Sequence, residues 1–315
     1  MKTLQWGILG LDLIAEEFAT HLEKHCGSFT AVCTDPIRLE AFAQRHSVKK
    51  CYTSYENFLN DPDINIVYIS TLGDEHYSNI ISCLNHGKHV FCEKTMLGNS
   101  HELKAAKELA EKKHLFLGEA MTIFYMPLYT RIREMIQDGA IGTLKMVRAD
   151  FGSLKEERPD NPLFSTEKKG GAMYDIGIYA LSFIFSFMTS FPDQEIHLMN
   201  PHPLGVDELW NIVLRNKEGE LANLNLALRC KLPKRAIIAG DKAYFIIDSY
   251  NRPDSAILVF PDGSVKEIHE GSASDAVSYE ILGAEQAILE RNYKSSNLNI
   301  TEKVVEMMEK LLYTT

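Results

Sequence analysis

A strand, a glycine-rich turn and a helix follow one another near the start of the chain, and this order restricts the possible folds strongly. The apolar run 4–9 predicts a strand, and Ile14, Phe18 and Leu22 recur at helical spacing. The turn between them offers backbone N–H groups and the positive end of a helix to a phosphate, as in the first βα unit of dinucleotide-binding sheets. A turn whose glycines serve only packing is the alternative. The candidate cofactor residues here are Gly7, Gly10, Leu11, Asp12, Leu13 and Ile14.

An acidic residue follows the second predicted strand. The β-like run 29–33 ends just before Asp35, which lies roughly twenty residues after the glycine turn. At this spacing a carboxylate can bind the hydroxyls of the adenosine ribose. Asp35 therefore favours NAD(H) over NADP(H) as the cofactor.

Two further motifs carry groups suited to acid–base chemistry. Asp175 and Tyr179 are four residues apart and follow two consecutive glycines. On one helix face, this carboxylate and phenol could address the same substrate hydroxyl. Lys94 follows Glu93 upstream, and a lysine near a tyrosine favours the phenolate and brings its proton chemistry closer to neutral pH. Either motif alone also fits an amphipathic helix with a surface ion pair.

The order of apolar runs predicts the domain organisation. Short runs alternate with helical patterns up to about residue 120, which indicates a parallel sheet wrapped by helices. After Gly142, strand-like runs and turn residues predominate, which indicates antiparallel hairpins. We therefore predict an α/β fold. Residues 1–121 form a Rossmann dinucleotide-binding domain, and residues 122–315 form an α+β domain with a large, mainly antiparallel sheet for substrate binding and oligomerisation.

Composition and charge argue against several classes of protein. The 315 residues carry a formal net charge of −10, whereas nucleic-acid binding normally needs a basic stripe. No apolar stretch reaches the roughly 20 residues that span a bilayer, and the apolar N-terminus is too short for a signal sequence. The six cysteines lack Cys-x-x-Cys or metal-ligand spacing. We expect a cytoplasmic protein without nucleic-acid, membrane or metal partners.

Several separated motifs occur in an order that resembles one known family. The chain is similar to the glucose–fructose oxidoreductase/inositol dehydrogenase family (Gfo/Idh/MocA). Tyr179 and the segment 251–263 look most like the dihydrodiol and xylose dehydrogenase branch. The matching segments are 7–15, 67–76, 87–95, 118–121, 139–152 and 170–181.

This resemblance implies an NAD(P)-dependent oxidoreductase that moves a hydride between a nicotinamide and a hydroxyl or carbonyl group. The substrate would be a small sugar, polyol or dihydrodiol. Tyr179 would be the general acid–base, Lys94 would orient the substrate oxygen and tune the tyrosine, and Asp175 would bind an adjacent hydroxyl or hold the lysine. For His76, cofactor contact and helix capping are equal alternatives. The segments that resemble cofactor-facing loops contain Thr71, Leu72, His76, Glu93 and Lys94.

Three positions depart from the family pattern. Asp12 stands where a second glycine usually lets the backbone approach the pyrophosphate. Thr95 replaces a proline after the lysine, and residues 121–124 replace a segment that carries tryptophan and arginine in related proteins. These changes leave open an alternative, in which the chain is a non-catalytic family member that binds a metabolite or a protein partner.

The predicted second sheet also has a consequence for assembly. The run 221–230 carries leucines on one side, and helices are expected to cover only one face of the sheet. The other face would then expose an apolar surface that needs a partner. Since related proteins commonly pair through this face, we expect a homodimer or a dimer of dimers.

Overall fold

A computed structural model describes residues 4–32, 35–158 and 161–313. It divides the chain into two compact units. The first comprises Met1–Met121 and Asp275–Glu302, and the second comprises Thr122–Ser274 and Lys303–Thr315. The predicted domain 122–315 thus differs from the second unit mainly by the segment 275–302. Within the described residues, no helix combines the length and the apolar character needed to cross a membrane.

The first unit contains a parallel sheet of six strands, in the order β3-β2-β1-β4-β5-β6. This arrangement confirms the predicted Rossmann sheet. The strand order reverses between β1 and β4, where sheets of this kind bind ligands at the carboxyl ends of their strands. In chain order the elements are β1 (Trp6–Leu9), α1 (Leu13–Cys26), β2 (Phe29–Val32), α2 (Pro36–Arg45), β3 (Val48–Tyr52), α3 (Tyr55–Leu59), β4 (Ile66–Ile69), α4 (His76–Asn85), β5 (His89–Glu93), α5 (Ser100–Lys113) and β6 (Leu117–Ala120).

The burial of each strand explains whether its sequence forms a continuous apolar run. Strands β1, β2 and β4 are buried along their whole length, so each reads as a continuous apolar run. Strand β3 lies at the edge of the sheet and carries Lys49 and Lys50. Charged residues are common on edge strands, and they hide the strand from a hydrophobic pattern.

The second unit contains a sheet of eight strands, in the order β14-β13-β12-β11-β7-β10-β9-β8. All neighbouring strands are antiparallel except the pair β7 and β10, which confirms the predicted mainly antiparallel sheet. The remaining elements are α6 (Pro127–Gln137), β7 (Leu144–Gly152), α7 (Ile178–Phe187), β8 (Gln194–Pro201), β9 (Asp207–Arg215), β10 (Leu221–Ala227), β11 (Arg235–Gly240), β12 (Tyr244–Asp248), β13 (Ser255–Val259), β14 (Val265–His269), α8 (Ala276–Leu289) and α9 (Leu298–Tyr313). Helix α8 belongs to the first unit.

The two faces of this sheet differ in their side chains. Val147 of β7 and Leu224 of β10 are fully buried on the face against which α7 packs. Residues that alternate with them point to the opposite side, which we call the open face. Ile196 and Leu198 of β8 lie on the open face and are 76% and 78% exposed.

Most of the apolar surface of the open face does not come from the predicted leucines. Leu224 and Leu226 of β10 are buried on the helix-covered face, so the prediction named the wrong residues. Of the predicted run, Leu221 alone lies on this surface among the leucines of β10, and the rest of the surface comes from neighbouring strands whose outward residues are apolar. Its exposed members are Met146, Ile196, Leu198, Val213, Leu221, Tyr244, Ile257 and Val265.

Candidate active site

The turn after β1 closely approaches the loop after β4 because of one glycine. Gly10 has a φ of +92°, and a Cβ atom there would lie 2.8 Å from the backbone nitrogen of Thr71. The Ser70 hydroxyl donates to the Gly10 carbonyl at 2.9 Å and joins the two segments. Gly7 instead lies within β1, where a Cβ would meet the ring of Phe58 at 2.5 Å. Of the two predicted glycines, Gly10 shapes the turn and Gly7 permits packing in the core.

Asp12 caps helix α1. Its Oδ1 accepts hydrogen bonds from the backbone N–H groups of Ile14 at 3.2 Å and Ala15 at 3.0 Å. These N–H groups lie in the first turn of the helix, which in related folds faces a phosphate. The side chains of Leu13 and Ile14 are exposed beside the cap, whereas Leu11 is buried. In the observed geometry the Asp12 carboxylate is therefore turned towards the helix as a cap.

Asp35 caps the next helix, α2. Its Oδ1 accepts from the backbone N–H groups of Ile37 at 3.0 Å and Arg38 at 3.3 Å. Its other carboxylate oxygen accepts no hydrogen bond from any residue in the described ranges. Asp35 can therefore cap the helix and still offer one oxygen to a ribose hydroxyl. Cys33 and Thr34, which complete the predicted segment, lie outside the described residues.

His76 joins the loop after β4 to the loop after β5. It is the first residue of α4, and only 2% of its surface is exposed. Its Nε2 lies 3.0 Å from the carbonyl oxygen of Thr71, and its Nδ1 lies 3.1 Å from that of Met96 and 3.2 Å from that of Thr95. His76 therefore positions two candidate cofactor loops, and Leu72 of the loop after β4 is 68% exposed.

Glu93 ends β5 with a carboxyl group that is buried beside Lys94. It accepts hydrogen bonds from the Tyr68 hydroxyl and, at 3.3 Å, from the backbone N–H of Lys94. Burial raises the pKa of Glu93 to about 7, and the negative charge of Asp12 acts in the same direction. A carboxyl that titrates near neutral pH thus lies next to the predicted catalytic lysine.

The loop after Lys94 is anchored by a residue that sequence reasoning did not single out. Glu119 is fully buried at the end of β6, and one carboxylate oxygen accepts from the backbone N–H of Met96 at 2.9 Å. Its other oxygen accepts from the Thr301 hydroxyl at 3.1 Å. Burial raises the pKa of Glu119. This carboxyl and His76 thus both hold the loop that lacks a proline at Thr95.

Asp175 and Tyr179 occupy two different helical segments. Residues Met173–Gly177 form a single π-helical turn, and Tyr179 is the second residue of α7. The prediction of one regular helix is therefore wrong at its first turn, and π-turns occur frequently at functional sites. An ion pair of 2.9 Å joins Asp175 Oδ2 to Lys155 Nζ, and the ring of Phe151 lies 6.0 Å from that of Tyr179.

The π-turn is held by a buried carboxylate. Oδ2 of Asp207 accepts from the backbone N–H of Met173 at 2.6 Å and from Nε1 of Trp210 at 2.7 Å. Burial raises the pKa of Asp207. Gly171 has a φ of +111°, and a Cβ there would lie 1.9 Å from Oδ1 of Asp207. The glycine before the motif therefore makes room for the group that positions the turn.

The candidate residues fall into two sets. The carboxyl ends of β1, β2, β4 and β5 carry the predicted cofactor residues apart from Gly7, together with Lys94, all in the first unit. Asp175 and Tyr179 belong to the second unit.

The sequence did not predict Lys155 as a site residue, since a single lysine in a loop has no local pattern. In the described part of the chain, no three His, Cys, Asp or Glu side chains are grouped to hold a metal ion.

Two family models match the chain. A model of an oxidoreductase family with an NAD-binding Rossmann fold, GFO_IDH_MocA, covers residues 4–121. A model of the GFO/IDH/MocA C-terminal domain covers residues 129–246. The two matches together span more than half of the chain.

Curated relatives are named as dehydrogenases. Trans-1,2-dihydrobenzene-1,2-diol dehydrogenase of Xenopus laevis is 28% identical over 327 residues, which cover 98% of this chain and 97% of the relative. The enzyme of the same name from Mus musculus is 30% identical over 260 residues, which cover 81% of this chain and 78% of the relative. Sequence similarity therefore extends across both units.

Solved structures share the whole fold. A 3-ketoreductase from Actinomadura kijaniata in complex with NADP and TDP-benzene gives a TM-score of 0.85 at 17% identity, with 98% of this chain and 97% of that chain covered. Levoglucosan dehydrogenase in complex with NADH and levoglucosan gives 0.83 at 18% identity, with 98% and 97% covered. At such identities the likeness shows the fold alone. Taken with the family models and the curated relatives, it establishes that the chain belongs to the GFO/IDH/MocA family and is a dehydrogenase that uses NAD(H) or NADP(H).

Proposed function

We propose that this dehydrogenase oxidises a hydroxyl group of a small sugar-like polyol or cyclic diol, with NAD(H) as the preferred cofactor. The observation that carries the proposal is the set of acid–base groups at the end of β5 and around the start of α7. One motif supplies Lys94 beside a buried carboxyl, and the other supplies a phenol, Tyr179, one turn after the carboxylate of Asp175. The names of the relatives, a dihydrodiol dehydrogenase and a levoglucosan dehydrogenase, support a substrate of this class.

The first unit has groups that suit a bound dinucleotide. Gly10 lets the turn after β1 approach the loop after β4, near which a pyrophosphate would bind, and Asp35 has a carboxylate oxygen that would be available for a ribose hydroxyl. Leu13 and Leu72 expose apolar side chains at the same edge of the sheet, where they could cover the flat rings of a nucleotide. When bound, the nicotinamide ring supplies the hydride acceptor.

The protein residues would handle the proton and the substrate geometry. Tyr179 would accept the hydroxyl proton during oxidation and return it during reduction. The ammonium group of Lys94 would stabilise the negative charge that develops on the substrate oxygen. Asp175, oriented by its ion pair with Lys155, would accept a hydrogen bond from the neighbouring hydroxyl and so select the carbon that reacts.

Cofactor titration of the wild type tests the proposal. We expect saturable NADH binding that is at least about tenfold tighter than NADPH binding, because Asp35 would face the 2′-phosphate with a like charge. Equal or tighter NADPH binding would contradict the assignment of Asp35. If neither dinucleotide binds while the fold is intact, the non-catalytic alternative replaces the enzyme.

Asp12 can be tested in the same titration with two variants. Asp12→Asn keeps an oxygen that caps α1 and removes the charge, whereas Asp12→Gly removes both. Because the carboxylate turns towards the helix N–H groups, we expect each variant to change the Kd for NADH by less than about tenfold, which corresponds to roughly 1.4 kcal/mol. A tightening of a hundredfold in both variants would show that the charge opposes the cofactor.

The open face of the second sheet supports a homodimer, alone or within a dimer of dimers. Ile196 and Leu198 lie side by side on the outermost strand of that face, and both are largely exposed. Apolar patches of this kind mark interaction sites. A second copy of the chain is the proposed occupant, since the face offers an apolar band to a like surface, and charges such as Arg148 with Asp150 and Arg235 with Asp248 already pair within the face.

A double replacement tests this assembly. The wild type is expected to scatter light as a dimer or a tetramer at micromolar concentration, and Ile196→Lys with Leu198→Lys is expected to produce monomers, because four buried lysines per dimer would lack partners. Leu204→Lys, at an exposed leucine outside the strands, is the matched control and should leave the mass unchanged. A monomeric wild type would overturn the proposal.

We also propose a cytoplasmic location. The described cysteines, Cys26, Cys51, Cys83, Cys92 and Cys230, are all free thiols. Free thiols are typical of reducing compartments. Burial raises the pKa of Cys83 to about 12, so this thiol is inert at neutral pH.

A further inference from the structure

Positively charged side chains surround the second unit's part of the candidate site. The ammonium group of Lys234 lies 4.7 Å from the centre of the Phe151 ring. The same ring lies 6.0 Å from the ring of Tyr179. Lys155 pairs with Asp175 of the tyrosine motif at 2.9 Å. Lys234 and the proposed catalytic tyrosine are therefore neighbours of one aromatic ring.

A glycine at the end of β7 brings these lysines together. A Cβ at Gly152 would lie 2.4 Å from the carbonyl oxygen of Cys230 and 2.4 Å from the nitrogen of Leu232. The segment 228–234 therefore crosses the strand end in backbone contact. The backbone N–H of Lys155 donates to the carbonyl of Leu228 at 3.1 Å, which fixes Lys155 beside the same segment.

The resulting cluster has more positive than negative charge. Burial lowers the pKa of Lys234, and the charges of Lys231, Lys155 and Arg252 lower it further, whereas Asp175 acts in the opposite direction. Among the described residues, no carboxylate forms an ion pair with Lys234. An ammonium group held half-buried among like charges opposes folding unless another group compensates. The chain as a whole carries a net charge of −10, so this local excess is not a general property of its surface.

We propose that the natural substrate is an anionic sugar or polyol, whose carboxylate or phosphate is bound by Lys234. This inference rests on the proposed function and narrows its substrate class. The anion would supply the negatively charged partner that Lys234 lacks among the described residues, and the hydroxyl that reacts would lie at the Tyr179 side of the Phe151 ring. Lys234 thus selects substrates that carry an anionic group, while Lys155 stays paired with Asp175.

The test compares neutral compounds with their anionic counterparts. The kcat/KM for NAD⁺ reduction is measured with D-glucose, D-glucuronate and D-glucose 6-phosphate, and with myo-inositol and inositol 1-phosphate. At least one anionic compound is expected to exceed its neutral parent by roughly 10- to 100-fold, and this ratio should fall as salt is added. Comparison of glucuronate with the phosphates identifies the anion.

Three variants separate recognition from packing. Lys234→Met keeps the stem over Phe151 and should reduce the preference for the anion at least about tenfold, mostly through KM, with little change for the neutral parent. Lys234→Arg should retain the preference. Lys266→Met, at an exposed lysine of β14, is the control and should behave as the wild type.

The outcomes distinguish this inference from the proposed function. Equal use of neutral and anionic compounds, or an equal loss for both in Lys234→Met, overturns the inference. If no compound is turned over, calorimetric titration of the NADH-loaded protein with the same panel replaces the kinetic assay. Anions that bind no more tightly than their neutral parents would then overturn the inference as well. A protein that binds no NADH overturns the proposed function itself.

Discussion

Replacement of Tyr179 by phenylalanine is expected to lower kcat by about a hundred- to ten-thousand-fold, the usual contribution of a positioned general acid–base. The phenyl ring is retained, so the contact with Phe151 and the packing of α7 should persist. Only the hydroxyl that carries the proton is lost. The Kd for NADH, measured by fluorescence titration, should therefore stay within about twofold of the wild-type value, since the cofactor residues belong to the first unit.

Tyr244→Phe provides the matched control. Tyr244 lies on the open face of the second sheet, and loss of its hydroxyl should leave kcat unchanged. If Tyr179→Phe turns over substrate at a near wild-type rate, another group carries the proton and the assignment is wrong. A parallel loss of NADH binding would indicate a folding defect.

Replacement of Lys94 by alanine is expected to reduce kcat by a similar factor, about a hundred- to ten-thousand-fold. Its ammonium group would stabilise the charge on the substrate oxygen and would favour the phenolate of Tyr179. The pH–rate profile gives a readout that simple loss of packing would not move. Without the lysine charge, the limb assigned to the tyrosine should shift to higher pH.

Lys112→Ala is the control for this variant, because Lys112 is exposed in the last turn of α5. It should not alter kcat or the pH profile. An active Lys94→Ala protein with the wild-type profile would show that Lys94 has no catalytic part. Loss of NADH binding without a change in turnover at saturation would assign the lysine to the cofactor alone.

The sequence was most informative where signals were local and repeated. The glycine turn, the apolar runs of β1, β2 and β4 and the spacing of α1 all depend on neighbouring residues, so they could be read directly. The switch to an antiparallel sheet was visible because its hairpin turns and alternating strands are also local signals. Boundaries were less accurate, as β1 shows, since the apolar run 4–9 predicted a strand that begins only at Trp6.

The missing parts of the site depend on contacts between distant segments. His76 and Glu119 hold the loop after Lys94 from α4 and β6, and no spacing in the sequence links these positions. Lys155 and Lys234 approach the tyrosine motif only because strands β7, β10 and β11 are neighbours. The direction in which Asp12 points was likewise not encoded by its residue type, because aspartate suits both a helix cap and an exposed turn.

The residues of strand β7 alternate between two surfaces, so the length of this strand matters to both of them. Val147, Ala149 and Phe151 face the helix side, whereas Arg148 and Asp150 face the open side. Insertion of one residue within the strand would reverse this alternation beyond the insertion point. The wall beside Tyr179 and the surface proposed for assembly would then exchange residues. Substitutions can therefore modify either surface separately, but a change of length in β7 would disrupt both. Related proteins can therefore change their substrate range at this strand only if its length stays the same.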